Sequence, residues 1–234
     1  MAEGVLPKVL VVTGTDTDVG KTVVTAAVVA TLRAAGRGVV AYKPTQTGVS
    51  PDEPGDMAEV GRLTGAPTSE GVRLRAAMAP RPAAALEGAT LPTLDDHLAA
   101  VHRLGRHHDH VVIEGAGGLL VELTEAGETV ADLARALVDA GTVLVARSAL
   151  GTLNHTMLTR EAFLHRRVRQ LGVVIGGWPD EPSVVETTNR DYLEGLPEGL
   201  IGAVPWGAPA LAPEAFRAAA PSWLPGLHDM VTAP

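Results

Sequence analysis

Cysteine is absent from the 234 residues, which excludes disulfides, thiol catalysis and thiolate-held zinc or iron–sulfur centres. Lysine is nearly absent as well: three residues, Lys8, Lys21 and Lys43, stand against sixteen arginines. A GC-rich coding sequence produces such a bias, so each lysine that persists calls for a reason. Positive charge is short overall, 19 Lys and Arg against 27 Asp and Glu, a formal charge of −8. That balance argues against a broad electrostatic footprint for nucleic acid or an anionic membrane. Long apolar runs are missing too. Stretches such as Val5–Val12 and Thr142–Val145 are strand-sized and soon meet polar residues. Glu3 and Lys8 precede the strand-like Val9-Leu10-Val11-Val12 with no basic leader or cleavage pattern, so a cytoplasmic protein is expected.

With 46% hydrophobic and 20% charged residues, the chain has ordinary globular composition and the length to bury a large core. Short Val-rich runs alternate with helix-like stretches, the pattern of a parallel sheet covered on both faces. The expected strands are Lys8–Thr13, Val39–Lys43, His110–Glu114, Thr142–Ala146, Gly172–Ile175 and Leu200–Val204. The expected helices are Lys21–Ala35, Met57–Leu63, Leu94–His107, Thr129–Ala140, His155–Arg167 and Val184–Leu193, the third opened by Thr93 as its cap. Proline is missing from Thr93 to Trp178 but frequent in Pro44–Pro92 and after Leu196, which predicts long loops in the first region and an irregular tail in the second. Neither region supplies its own set of core elements, so residues 1–234 are read as one α/β domain.

The strongest motif is Val11-Val12-Thr13-Gly14-Thr15-Asp16-Thr17-Asp18-Val19-Gly20-Lys21-Thr22. A buried strand ends, a turn-rich loop follows, and a helix opens with Gly-Lys-Thr, aiming backbone N–H groups and a positive dipole end at an anion. Lys21 is placed to reach terminal phosphates and the Thr22 hydroxyl to ligate magnesium. The strict Walker pattern has four residues between its two glycines; here Thr15 holds the first glycine position and Gly14 comes one residue early.

Lys43 ends the second expected strand, at the sheet edge where ligands of open α/β sheets collect, and a cation there neutralises oxygens gaining charge in phosphoryl transfer. Glu114 ends the strand Val111-Val112-Ile113 and is followed by the tight run Gly115-Ala116-Gly117-Gly118. With Lys21 and Thr22 placed, a magnesium role for Glu114 is preferred over a plain strand-end acid. On spacing alone Asp56 competes with Asp52, Glu53 and Glu59. Asn154 suits the N-cap of the helix that follows it. His102, His107, His108 and His110 fit no familiar metal spacing and read as a helix end, as do Arg166, Arg167 and Arg169.

Four strings together resemble the dethiobiotin synthetase family: Gly14 through Thr22; Tyr42-Lys43-Pro44-Thr45-Gln46-Thr47-Gly48; Val112-Ile113-Glu114-Gly115-Ala116-Gly117-Gly118; and Leu150-Gly151-Thr152-Leu153-Asn154-His155-Thr156-Met157-Leu158-Thr159. They occur in the family's order and spacing from about residue 8 to 206. The resemblance implies a P-loop NTPase fold of the nitrogenase-iron-protein-like branch, a mainly parallel sheet with helices on both faces, working as a homodimer. It implies closure of a cyclic urea on 7,8-diaminononanoate with CO2 and ATP, through a carbamate and a carbamic–phosphoric anhydride. By that resemblance Lys43, Lys21 and Thr47 are catalytic, and Thr22, Asp56 and Glu114 hold Mg2+. Asp18, Val19, Gly20, Lys21, Thr22, Val23, Asp56, Glu114, Gly115, Ala116 and Gly117 contact the nucleotide, with Gly176, Gly177, Val204, Pro205 and Trp206 at its base. Thr17, Lys43, Thr47, Gly117 and Gly118 hold the substrate, and Leu150, Gly151 and Asn154 meet its carboxylate end across the dimer interface.

One departure stands out. Many family members carry an adenine-reading Asn where this chain has Gly176, which implies relaxed nucleotide selectivity. Two other readings of the fold are weaker. The ATPase part of a glutamine-dependent amide-forming synthetase needs a glutaminase with a nucleophilic cysteine, which the chain lacks. A partition-type switch ATPase carries a second lysine where Asp16 stands, and no basic amphipathic tail is evident.

Overall fold

A computed structural model describes residues 6–232; Glu3, Val5, Ala233 and Pro234 lie outside the described residues. The elements run β1 (Val9–Gly14), α1 (Lys21–Ala34), β2 (Val39–Gln46), α2 (Asp56–Thr64), β3 (Thr68–Arg73), α3 (Pro80–Glu87), α4 (Leu94–Gly105), β4 (His110–Gly118), α5 (Val130–Ala136), β5 (Gly141–Ala146), α6 (Thr152–Arg166), β6 (Gln170–Trp178), α7 (Val184–Glu194), β7 (Leu200–Pro205), α8 (Pro213–Trp223) and α9 (Pro225–Thr232). The seven strands pair in parallel in the order β3-β2-β4-β1-β5-β6-β7.

The Val-rich runs are buried along their whole length because side chains alternate between two cores. On β1, Leu10 and Val12 pack with Val24, Val28 and Leu32 of α1. Val9 and Val11 point the other way, into a core shared with Val101 of α4, Leu133 of α5 and Phe163 of α6. α1 is apolar nearly all round, with Val24 through Leu32 buried, because α2 and α8 cover it from outside. β1 lies mid-sheet, and the strand order changes direction about it. The carboxyl ends of β1, β2 and β4 therefore gather the phosphate loop, Lys43 and Glu114 at one edge.

Several expectations need correction. The proline-rich stretch after Pro44 holds β3 and α3, and the tail after Gly207 holds α8 and α9. Pro80, Pro213 and Pro225 each open a helix at its first position, where a missing N–H costs nothing. β3 is an edge strand with no fully buried residue, so its sequence, Thr-Ser-Glu-Gly-Val-Arg, carries no apolar alternation. β2 runs through Pro44 to Gln46 because pairing to β4 stops at Tyr42 and only β3 follows it further. α6 begins at Thr152 with Gly151 as its N-cap, so Asn154 sits exposed within the first turn and is not the cap. α5 ends at Ala136 rather than Ala140, where Leu137 adopts an extended backbone.

Candidate functional site

The phosphate loop leaves β1 through Gly14, where any Cβ would stand 2.7 Å from Val19 Cγ2 and 2.8 Å from the Asp16 carbonyl. Close approach therefore demands glycine at 14, which accounts for the shifted motif. The loop enters α1 through Gly20 at φ 92°, without a side-chain cap and with no acidic residue in the first turn. The N–H groups of Lys21, Thr22 and Val23 are thus left for an external anion. Other helices are treated differently: Thr93–Asp96 on α4, Thr129–Asp132 on α5 and Ser183–Glu186 on α7 form complete capping boxes.

Lys21 folds back and donates to the Asp16 carbonyl at 2.8 Å. Lys43, 4% exposed, donates to Glu114 Oε1 at 2.7 Å and also to Asp56 Oδ2. The Thr22 hydroxyl donates to the same Glu114 Oε1 at 3.0 Å. Of the acids competing for the third position, Asp56 alone joins this cluster; Glu53 bonds the Ser50 N–H and Glu59 pairs with Arg62.

Burial disfavours charge on every member of the cluster. At Lys43 burial lowers the pKa, but the Glu114 and Asp56 carboxylates outweigh it and the ammonium is held above its ordinary value. At Asp56 burial is outweighed by Lys43, which pulls the carboxyl down. Glu114 is fully buried, and that burial pushes its pKa up despite Lys43. Burial, then the like charge of Lys43, lowers Lys21.

Glu114 Oε2 is buried without a hydrogen-bond partner. An orphaned carboxylate oxygen beside a second carboxylate and a hydroxyl is a hard-oxygen donor set, which fits magnesium completed by water and phosphate oxygens. Among the described residues no group of three or more His, Cys, Asp or Glu converges anywhere, so the protein's own donors here are two carboxylates and the Thr22 hydroxyl. His108 Nδ1 and His110 Nδ1 instead bond the carbonyls of Leu104 and Pro7.

One cavity of about 790 Å³ brings together Thr17, Asp18, Gly20, Lys21, Thr22, Val23, Lys43, Thr47, Asp56, Glu114, Ala116 and Gly117. Val19 is buried behind the loop, Gly115 turns toward Val130 of α5, and Gly118 lies beside the Gly14 carbonyl. Gly176 abuts the loop from β6: a Cβ there would collide with the Val19 carbonyl oxygen and with Val145. No side chain emerges at 176. Gly177 lies against the Trp206 ring, which is 76% exposed, and Val204 and Pro205 end β7 beside it. Leu150, Gly151 and Asn154 stay outside the cavity of their own chain; Leu150 is 87% exposed. The cavity also draws in Gln46, Val49, Met78, Pro80 and Val121. Of these only Gln46 lies within a recognised string; Val49, Met78 and Val121 sit in loops and Pro80 opens α3, with no periodicity to mark them.

Residues 8–214 match a family model described as an AAA domain. The ATP-dependent dethiobiotin synthetase BioD of Streptomyces avermitilis is 50% identical over 92% of this chain and 91% of its own. That of Rhodococcus jostii is 49% identical over 92% and 94%. The chain belongs to the dethiobiotin synthetase family. Solved structures add the fold: the cell division ATPase MinD of Pyrococcus furiosus superposes with a TM-score of 0.58 at 17% identity, covering 96% of this chain and 98% of its own. The family member described here thus shares a parallel-sheet P-loop architecture with MinD. No helix among the described residues is long and apolar enough to cross a membrane.

Proposed function

We propose that this chain is an ATP- and magnesium-dependent dethiobiotin synthetase that closes a cyclic urea on 7,8-diaminononanoate. One observation carries the reading: Lys21, Thr22, Lys43, Asp56 and Glu114 converge in a single cavity at the carboxyl edge of the sheet. One substrate amine attacks CO2, forms a C–N bond and loses a proton to give a carbamate. A carbamate oxygen then attacks the γ-phosphorus and the bond to the β-phosphate oxygen breaks, giving the mixed anhydride and ADP. The second amine attacks the carbamate carbon, closes the ring and expels phosphate.

This sequence needs alignment and charge neutralisation rather than a protein nucleophile. Lys43, kept charged by its two carboxylates, acts as a fixed cation facing the carbamate and the moving phosphoryl group, not as a base. Lys21 and the loop amides hold the β- and γ-phosphates. Magnesium on Thr22, Asp56 and Glu114 would supply further charge neutralisation there. Thr17, Thr47, Gly117 and Gly118 orient the diamine end.

The exposed Leu150, Leu158, Val184 and Val185 support a homodimer interface, with the uncapped start of α6 directed to the partner's substrate carboxylate. One domain, working in the cytoplasm where ATP and the diamine meet, completes the reading. The collision at Gly176 supports relaxed nucleotide choice, because base reading from that position is closed.

The test is incubation with diaminononanoate, bicarbonate, magnesium and ATP. Dethiobiotin with stoichiometric phosphate is expected; no product from folded, nucleotide-bound protein overturns the reading. In the same assay with CTP and GTP, kcat/KM is expected within about a hundredfold of the ATP value, and a larger ATP preference sinks the claim of relaxed choice.

A further inference from the structure

We propose that Gln46 is a positioning residue whose one side-chain amide sets both the Asp56 carboxylate and the Thr47 peptide. The proposal rests on the assignment, made above, of Asp56 to the metal and Thr47 to the substrate. Gln46 is the last residue of β2 and is 3% exposed. Its Oε1 accepts the Asp56 N–H at 2.9 Å, and its Nε2 donates to the Thr47 carbonyl at 3.0 Å. Its own carbonyl accepts the Leu74 N–H at 2.8 Å, which ties the end of β2 to the chain leaving β3.

The Asp56 N–H opens α2, and the N-cap of that helix is Gly55, which has no side chain to offer. Gln46 supplies the missing cap from another element. Gly55 itself is pressed close, since a Cβ there would lie 2.8 Å from Gln46 Oε1. The intervening loop is held from its far side by Arg73, which pairs with Glu70 and donates to the carbonyls of Ser50 and Glu53. Loop and helix start are thus fixed at two points, and Gln46 is the one beside the cavity. A side-chain amide presents a strong acceptor and a donor together at that reach: an ionised Glu accepts without donating, and Met offers no donor and only a weak sulfur acceptor.

The prediction separates position from bulk. Calorimetry gives the affinity for a non-hydrolysable ATP analogue with magnesium and with a chelator, and their ratio isolates the metal's contribution. In Gln46→Met that ratio is expected to fall about tenfold while chelator-state affinity holds, as for loss of a group that orients a metal ligand. Gln46→Glu, which keeps the acceptor for Asp56, is expected to restore the ratio but to raise the diamine KM, because the donor to Thr47 is gone. An unchanged ratio in Gln46→Met, or an equal loss with and without magnesium, overturns the proposal. Should Gln46→Met fail to fold, Gln46→Asn, one methylene short of Asp56, is judged by the same ratio. Asp56→Asn keeps the layers apart. If its ratio equals that of wild type, the metal assignment falls and Gln46 with it. If it drops while Gln46→Met does not, Gln46 alone is wrong.

Discussion

At the scale of single residues, the decisive fact about Lys43 is its company. A buried ammonium without partners sheds its proton, whereas this one is bonded by two carboxylates and keeps it. In the proposed role of a fixed cation, Lys43→Ala should cut turnover by at least about 100-fold while nucleotide affinity stays within several-fold, as for one contact made in the transition state. Rapid-quench turnover beside calorimetric binding decides it; a large binding loss with unchanged turnover would show Lys43 misassigned. Lys21, Thr22 and Glu114 were legible from the sequence because motif and strand end restrict where such side chains point. Asp56 was not legible from spacing, since Asp52, Glu53 and Glu59 stand as near in the chain. What separates it is its place at the first turn of α2, opposite Lys43, a relation between two elements. Gln46 carried no signal of its own. An amide at a strand end becomes informative only once the helix start it caps is seen. Lys8, the remaining lysine, merely leads into β1.

At the scale of elements, the helices divide by how they begin. α4, α5 and α7 close their first turns with Thr or Ser and an acid, and each spends its free N–H groups internally. α1 and α6 begin at Gly20 and Gly151 with neither cap nor first-turn acid, which keeps those ends open to an anion. The capped helices are therefore structural, and the contrast is measurable. Thr129→Ala removes the cap of α5 and should lower unfolding free energy by about 1 kcal/mol. Urea denaturation reads the change, with kcat/KM expected to hold. No shift in the midpoint would show that the box contributes nothing. The capping box at Thr93 was readable from spacing, but the missing caps were not: Asn154 offered an attractive N-cap, and the helix starts two residues before it, at Thr152. Proline misled in the same local way. It marks a break in most contexts, yet Pro80, Pro213 and Pro225 all sit where a helix tolerates it best.

At the scale of the whole molecule, the tail that looked irregular completes one of the two cores. α1 carries the phosphate loop on its first residues and is apolar on nearly every face, so it must be covered on the side away from the sheet. α8, α9 and Leu224 between them do this with Phe216, Ala220, Leu224, Leu227 and Val231, all buried in the same cluster as Val24, Val28 and Leu32. Phe216 is the largest of them, fully buried and edge-on to Trp223 at a centroid distance of 5.1 Å. Sequence periodicity hid this role because two short helices opened by prolines give too few turns to establish a face. Phe216→Ala should cost about 3–5 kcal/mol, the range for deleting a buried aromatic ring where a cavity remains. Because the ring lies behind α1 rather than in the phosphate cavity, nucleotide affinity of the folded variant should stay within about twofold. Urea unfolding followed by Trp fluorescence measures the first quantity and calorimetry below the transition the second. A loss under about 1 kcal/mol would make α8 a peripheral appendage. A large fall in nucleotide affinity at full folding would instead make the tail part of the site, carried to the phosphate loop along α1.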